Sequence, residues 1–537
     1  MSRWRGNPWA ILLTLSLGFF MTLLDLTIVN IAIPSITEKL DASLDQVLWV
    51  INAYVLVLAV LLITAGRLGD LWGKKNLFIT GAALFTLSSL ACGIAQDPAQ
   101  LIAGRAVQGL GAALLMPQTM SIIIGVFPAE RRGTALGVWG GVAGVSTIAG
   151  PTLGGLLVTH LDWRWIFFVN LPIGAIVLAM AVPILPGRMP GPRHRFDLTG
   201  VLLASAALFC LTFALTEGQK FEWNAVIWGL IAAGAVLFLV FAAHQRTRQD
   251  AEPLVPFSLF RDRNFTILSI VGAAVSVGMI GMILPLTIYL QSVLGFSALK
   301  AGLVLAPSSV MSMFLAPVAG RLSDRIGGKY ILMAGLTLYA GGMLWVAAIA
   351  EVGSDWTAFI APLIVAGTGI GCVFAPMATE ATRHVPPRLA GAASGVNNTI
   401  RQVGSVLGAA AVGALLQNQL ASSLRDEAAA RSSALPPGAR PGFVRGFAEA
   451  AKGGLEVGAG QSGAKQQIPT GLPPNVAHRL HELAAQVFSH GFVHAMKPAM
   501  ILPIGVMFLS AVACLALRGH RSGTPAGMDA EPAHAST

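Results

Sequence analysis

Long apolar runs, broken by short charged segments, cover most of the chain. Fourteen of them approach or exceed the roughly 20 residues that cross a bilayer as a helix. They lie at 9–34, 47–65, 77–95, 101–126, 134–158, 166–185, 197–216, 223–243, 265–290, 298–319, 330–350, 357–379, 391–416 and 493–517. The pattern predicts an all-α integral membrane protein with 14 transmembrane helices. The first run follows Arg3 and Arg5, as a signal peptide would. Its apolar stretch is too long for one, and no small-residue cleavage site follows it.

The polar positions between the runs repeat. Gly66-Arg67-Leu68-Gly69-Asp70-Leu71-Trp72-Gly73-Lys74-Lys75 reads as a charged, glycine-punctuated turn after the second span. It returns after the tenth span as Gly320-Arg321-Leu322-Ser323-Asp324-Arg325-Ile326-Gly327-Gly328-Lys329, with six identities at one offset of 254 residues. Two such turns in register predict a duplicated bundle, and internal repeats of this kind mark secondary transporters. Eight spans separate the copies where a plain pair of six-helix halves would give six. Spans 7 and 8 are therefore expected as an insertion. This divides the chain into a six-helix half at 1–185, two linker spans with their flanks at 186–264, and a second half at 265–537. The second half carries an external loop at 417–492 and a cytoplasmic tail at 518–537.

Composition supports the same picture. The chain is 55% hydrophobic and 11% charged, with a mean hydropathy of +0.70. A soluble protein carries about 25% charged residues, so lipid is the main solvent here. The net charge of +10 raises the question of nucleic acid. Its distribution answers against that. With the N-terminus inside, 21 of the 35 Lys and Arg fall in cytoplasmic segments and 4 in the short outer loops. This bias sets orientation, and an even number of spans puts both termini in the cytoplasm of a plasma (inner) membrane protein. Cys92, Cys210, Cys372 and Cys514 all lie in apolar runs and read as packing residues rather than a disulfide framework.

The segment 417–492 is rich in Ala, Gly, Pro and Ser. Most of it reads as disordered. Its end reads as an amphipathic helix started by Pro473-Pro474-Asn475, with Val476, Leu480, Leu483, Val487 and Phe488 on one face. His478, His481, His490 and His494 lie in or beside it, a metal site being the lesser reading.

Charges inside the spans are the candidates for chemistry. Asp25 lies deep in the first span, where a carboxylate costs at least about 2.5–3.5 kcal/mol and is a functional hypothesis by default. It either takes up and releases a proton as its surroundings alternate or is locked by hydrogen bonds to Asn30 or another span. Arg105 in span 4 is its candidate counter-charge, or else snorkels to the nearby outer edge. Gly104, Gly109 and Gly111 permit close helix approach. In span 5, Gly150, Pro151, Gly154 and Gly155 offer a flat contact surface and a bend. The turn around Gly66, Asp70 and Gly73, with Asp324 in its second copy, reads as a gate. Asp70 there can meet a helix N-terminus or an arginine. Lys74 and Lys75 are explained by charge bias alone. Asn397, Asn398, Arg401 and Gln402 form a second polar patch in span 13, and Glu380 reads as interfacial. No phosphate-binding loop, histidine cluster or other enzyme signature lies in the bundle.

With these motifs in hand, the chain resembles the major facilitator superfamily, and within it the 14-span drug:proton antiporters. Asp25, Thr27, Val29, Asn30, Ala32 and Pro34 match that branch's first-span signature, and Gly66 to Lys75 the motif between spans 2 and 3. Arg105, Gln108 and Gly109 resemble the fourth-span motif. Gly150, Pro151, Gly154 and Gly155 resemble the antiporter motif, and Trp163 to Gly174 a run typical of the 14-span branch. The resemblance covers 1–416 and the last span, not 417–492.

It implies a monomeric major facilitator fold exporting small amphipathic drugs or natural products by alternating access. The proton gradient would supply the energy, with no cofactor, metal or catalytic residue. Asp25 and Arg105 would couple protons, Asn30, Asn398 and Arg401 would serve coupling or substrate, and Asp70 would act in the gate. Spans 9, 10, 11, 13 and 14 hold no acids in their interiors, while span 13 holds Arg401. This predicts neutral, zwitterionic or anionic substrates over dications. The alternatives are an exporter dedicated to one endogenous metabolite (a self-made antibiotic, siderophore or lipid), an uptake symporter, and a non-transporting receptor.

Overall fold

The computed structural model describes residues 6–128, 131–187, 197–218, 221, 223–249, 253–383, 385–386, 389–435, 440–452 and 474–518. Among them every regular element is helical. The first half holds α1 (Pro8–Lys39), α2 (Leu44–Trp72), α3 (Lys74–Gly93), α4 (Pro98–Val126), α5 (Arg132–His160), α6 (Trp165–Phe168) and α7 (Asn170–Ile184). The inserted pair is α8 (Leu198–Glu217) and α9 (Ala225–Thr247). The second half holds α10 (Ser258–Arg261), α11 (Arg263–Ile288), α12 (Ala298–Ile326), α13 (Lys329–Ile349), α14 (Ile360–Gly371), α15 (Phe374–Thr382), α16 (Ala390–Arg431), α17 (Arg440–Lys452) and α18 (Pro474–Ala513).

Thirteen stretches among the described residues are long and apolar enough to cross a membrane. The remaining expected span is α5, which at 29 residues is also long enough. Polar caps start many of these helices. Asn7 accepts from the Trp9 N–H ahead of α1, and Ser43 with Gln46 forms a capping box on α2. Asp97 and Asp262 cap α4 and α11.

The buried apolar residues form two groups in the first half and one large group in the second. The inserted helices join the second group through Val201, Ala204 and Phe241. The repeat is visible in one contact made twice. Lys75 Nζ donates to the Val182 and Leu185 carbonyls at the end of α7, at 2.6 and 3.0 Å. Lys329 Nζ does the same to Leu515 and Leu517 after α18, at 2.7 and 3.0 Å. Each lysine closes its own half by satisfying carbonyls left over at a helix C-terminus. Lys75 is therefore more than a topology signal. The same end of the molecule carries Trp9 against Phe127 and is called the terminal face below.

Two expectations need correction. The repeated segment is not a turn over its whole length. Helix α2 runs through Trp72, and only Gly73, at φ +95°, breaks it; in the second copy Gly327, at φ +86°, does the same. Both lie in the left-handed region that favours glycine. Gly66 is helical and serves close packing instead. A Cβ there would sit 2.7 Å from the Gly391 carbonyl oxygen and 2.9 Å from the Gly395 Cα.

Nor is 417–492 mostly disordered. Helix α16 has 42 residues, about 63 Å at 1.5 Å per residue, roughly twice the hydrocarbon thickness. Its outer part buries Leu416, Leu420, Leu424 and Ala428, one per turn. Against them stand Phe443 and Phe447 of α17 and Leu483, Val487, Phe488 and Phe492 of α18. The result is a three-helix cap on the face opposite the termini. Pro473 and the side chains of Val476, His478 and His481 lie outside the described residues. So do 453–473, most of the flank 186–196, and 519–537 of the tail.

Candidate functional site

A buried polar cluster is built from six helices of the first half. Asp25 of α1 is fully buried, as are Ser89 of α3, Gln108 of α4, Asn170 of α7 and Tyr54 of α2, and Arg105 of α4 is 1% exposed. Arg105 Nη1 forms an ion pair with Asp25 Oδ2. The same nitrogen donates to Gln108 Oε1 at 2.7 Å, and Nε donates to the Val50 carbonyl at 2.9 Å. The other carboxylate oxygen, Oδ1, accepts from Gln108 Nε2 at 2.8 Å and Asn170 Nδ2 at 3.2 Å. Ser89 Oγ receives those same two amides at 2.7 and 3.3 Å. The guanidinium lies 4.4 Å over the Tyr54 ring, with Phe167 of α6 at 5.9 Å.

Every side-chain partner of Asp25 is a donor. The site is thus wired for the ionised carboxylate, which accepts only. A proton added to Asp25 would cancel the charge that holds Arg105. Gln108 stands one turn from Arg105, so α4 presents both to Asp25 from one face. The run Trp163–Gly174 folds as α6 and the start of α7, which delivers Asn170. Nearby, Arg164 Nη2 donates to the Ala95 carbonyl at 3.0 Å and Lys39 pairs with Asp162 at 2.6 Å, tying α1 to the loop after α5.

Of the expected site residues, the structure brings only Asp25 and Arg105 together. Arg105 does not snorkel. Asn30 is exposed and its amide donates to the Leu26 carbonyl at 3.1 Å, not to Asp25. Asn398 donates within its own helix, to the Ser394 carbonyl at 2.9 Å. Arg401 lies in the other half, 4.8 Å over the Phe374 ring. Gln108, Asn170, Ser89 and Tyr54 complete the cluster and were not expected there. Their signal was available, as neutral polar side chains inside apolar runs.

Gly150 and Gly154 seat α5 on α1. Added Cβ atoms would lie 2.6 Å from Thr27 Cβ and 2.9 Å from Ile28 Cγ1. Gly155 faces Leu299 of α12 at 3.5 Å. The helix continues through Pro151, whose side chain lies outside the described residues.

The halves meet at the terminal face in two matching seams. Asp70, near the end of α2, accepts from the Ala392 N–H at the start of α16, at 3.2 Å. Asp324, near the end of α12, accepts from the Gly133 and Thr134 N–H groups at the start of α5, at 2.8 and 2.9 Å. Each acid of the repeat thus meets the positive end of a helix in the opposite half. Arg67 and Lys74 also stand near Asp70, at 4.0 and 3.7 Å. Glu380 lies near the end of α15, buried beside the break between α12 and α13. It accepts from the Gly328 N–H at 2.6 Å and from Arg383 at 2.8 Å.

Asp324→Ala should weaken the closed seam by about 1 kcal/mol, as a lost cap does. A cysteine in place of Ala316, two turns into that seam, should then react with an impermeant maleimide about five-fold faster. An unchanged rate would mean that the caps do not hold the seam.

Two repeated helical halves packed against each other along paired helices, with an ion pair sealed inside one, define a secondary-transporter bundle. The chain belongs to the Major Facilitator Superfamily, whose family model matches residues 15–409. It is 35% identical over 425 residues to the tetracenomycin C resistance and export protein of Streptomyces glaucescens, covering 79% of this chain and 78% of that one. It is also 35% identical over 419 residues to the multidrug resistance protein Stp of Mycobacterium tuberculosis, covering 77% and 76%. Among solved structures, the proton:xylose symporter XylE shares the fold. The TM-score is 0.56 at 13% identity, over 83% of this chain and 94% of that one.

Proposed function

We propose that the chain is a proton-coupled exporter of drugs, antibiotics or amphipathic natural products. It would work as a monomeric antiporter in the plasma membrane, with both termini in the cytoplasm. The observation that carries this is the Asp25 cluster. A carboxylate held by three donors, one of them a guanidinium, would lose its ion pair on protonation, which would free α4 from α1. Protonation is thereby tied to helix movement, as antiport requires. Asn170 Oδ1 is buried without a partner, and it is the acceptor that a proton-bearing Asp25 would need. The paired carboxylate and the closed terminal-face seams describe one end of the cycle. Proton entry from the opposite face would loosen the pair and, through α4, the first half. Resistance and export in the names of two relatives favour outward movement of an antibiotic-like cargo. The tetracenomycin relative also supports the alternative, an exporter dedicated to one self-made compound.

The test is proton release in a weak buffer. Purified protein receives a panel of amphipathic antibiotics and dyes, with Asp25→Asn beside it. At least one compound should displace about one proton per bound molecule from the native protein and none from the variant. Binding without release in either protein would overturn coupling through Asp25.

A further inference from the structure

We propose that Arg401 anchors an acidic group on the exported compound, so that the carrier selects aromatic anions. This deepens the exporter reading and rests on it. Arg401 stands eleven residues into α16, about 16 Å from its start and thus near mid-membrane. Its stem fills the space beside Gly272 of α11, where an added Cβ would lie 3.3 Å from Cγ. Its guanidinium stacks on Phe374 of α15. Its Nε is buried with no hydrogen-bond partner. Among the described residues no carboxylate pairs with it.

The contrast with Arg105 is informative. One membrane-buried arginine has an acid, an amide and a carbonyl; the other has a ring and a glycine. An arginine without a counter-charge at this depth is costly, and an incoming anion would offset that cost. The position also suits a ligand. Phe374 Cβ stands 3.6 Å from where a Cβ on Gly140 of α5 would be, so Arg401 lies next to the junction of the halves. Trp139, beside Gly140, stacks on Phe19 at 4.2 Å, and its buried Nε1 also lacks a partner.

The second half thus presents an aromatic surface and one unused N–H donor near this junction. A ligand that satisfies them brings acceptors and rings. A cation would bring a like charge and nothing to accept. The geometry fits an aryl carboxylate, sulfonate or phenolate.

The test uses two fluorescent probes of one scaffold with purified full-length protein in nanodiscs. One is the sulfonate 8-anilinonaphthalene-1-sulfonate and the other its uncharged parent, N-phenyl-1-naphthylamine. The sulfonate should bind the native protein about ten-fold tighter than the parent. Arg401→Gln should remove about that factor and leave the parent within about two-fold. Arg401→Lys should keep part of the preference. Retained binding of the parent shows that the variants are folded. Equal affinities, an equal loss for both probes, or no saturable binding of the sulfonate would each overturn the proposal. Tighter binding of ethidium than of the sulfonate would do the same. The titration needs no gradient. If the preference holds but acid-driven uptake into everted proteoliposomes fails, the anion site stands and the exporter reading falls.

Discussion

Asp25→Asn should destabilise the protein more than Arg105→Met, although each removes one partner of the same ion pair. Breaking a buried pair from either side costs about 3–5 kcal/mol, because a charge is left without compensation. The two leftover charges then behave differently. A stranded carboxylate can take a proton from water, and the cost of doing so falls by about 1.4 kcal/mol per pH unit lowered. A stranded guanidinium cannot lose its charge.

The loss in Arg105→Met should therefore shrink between pH 7 and pH 5. The sign follows from linkage: the folded variant binds a proton that the unfolded chain does not, so its stability rises as pH falls. The loss in Asp25→Asn should not change over that range. The double replacement Asp25→Asn with Arg105→Met should recover part of the loss, since no charge remains buried. Transport should fall at least about 100-fold in all three, the usual effect of losing an essential proton-transfer group. Thermal unfolding in detergent at the two pH values decides the matter. Equal, pH-independent losses in the single variants would show that the pair is not buried as a pair.

The fold was legible because each span is a long apolar run and the repeat is an offset in the chain. Asp25 and Arg105 were legible because a charge in lipid has few reasons to be there. The rest of the cluster was not. Asn170 and Ser89 are cheap enough in a helix to go unnoticed singly, and only packing shows that Gln108 and Asn170 converge on Asp25 Oδ1. The α18 part of the cap was expected, but its α16 and α17 parts were missed for a different reason. Averaged over 417–492, the abundance of Ala, Gly, Pro and Ser hides Leu420 and Leu424, which continue a stripe from Leu416 and need α18 opposite them to become a core. The repeated turn misled because its glycines do two jobs. Gly73 and Gly327 break the helix, whereas Gly66 and Gly320 let backbones touch.

Alanine at Gly66 and at Gly137 should hold the carrier open at the terminal face. Helix α5 runs antiparallel to α12 with glycine after glycine on backbone. A Cβ added at Gly137 would lie 2.8 Å from Pro317 Cα, one at Gly141 3.1 Å from the Met313 carbonyl oxygen, and one at Gly144 2.7 Å from the Ser309 carbonyl oxygen. Gly66 and Gly395 do the same for α2 and α16. A methyl group at Gly66 or Gly137 would strike main chain, which cannot rotate aside. Overpacking of this kind costs about 1–3 kcal/mol. It acts only while the seam is closed, so it shifts the population rather than the fold. Two such wedges together cost about 2–6 kcal/mol, which reaches the roughly 5.5 kcal/mol that inverts a 99:1 equilibrium. The double variant should still fold and bind substrate from the terminal face. Its export should fall by about 100-fold, and a cysteine in place of Ala316 should label freely from that face. Gly341 of α13 has nothing within 4 Å of an added Cβ, so Gly341→Ala should leave both readouts unchanged. If the wedged protein keeps exporting at the native rate, the seams do not have to close tightly in the cycle. The caps by Asp70 and Asp324 would then be the whole of the gate.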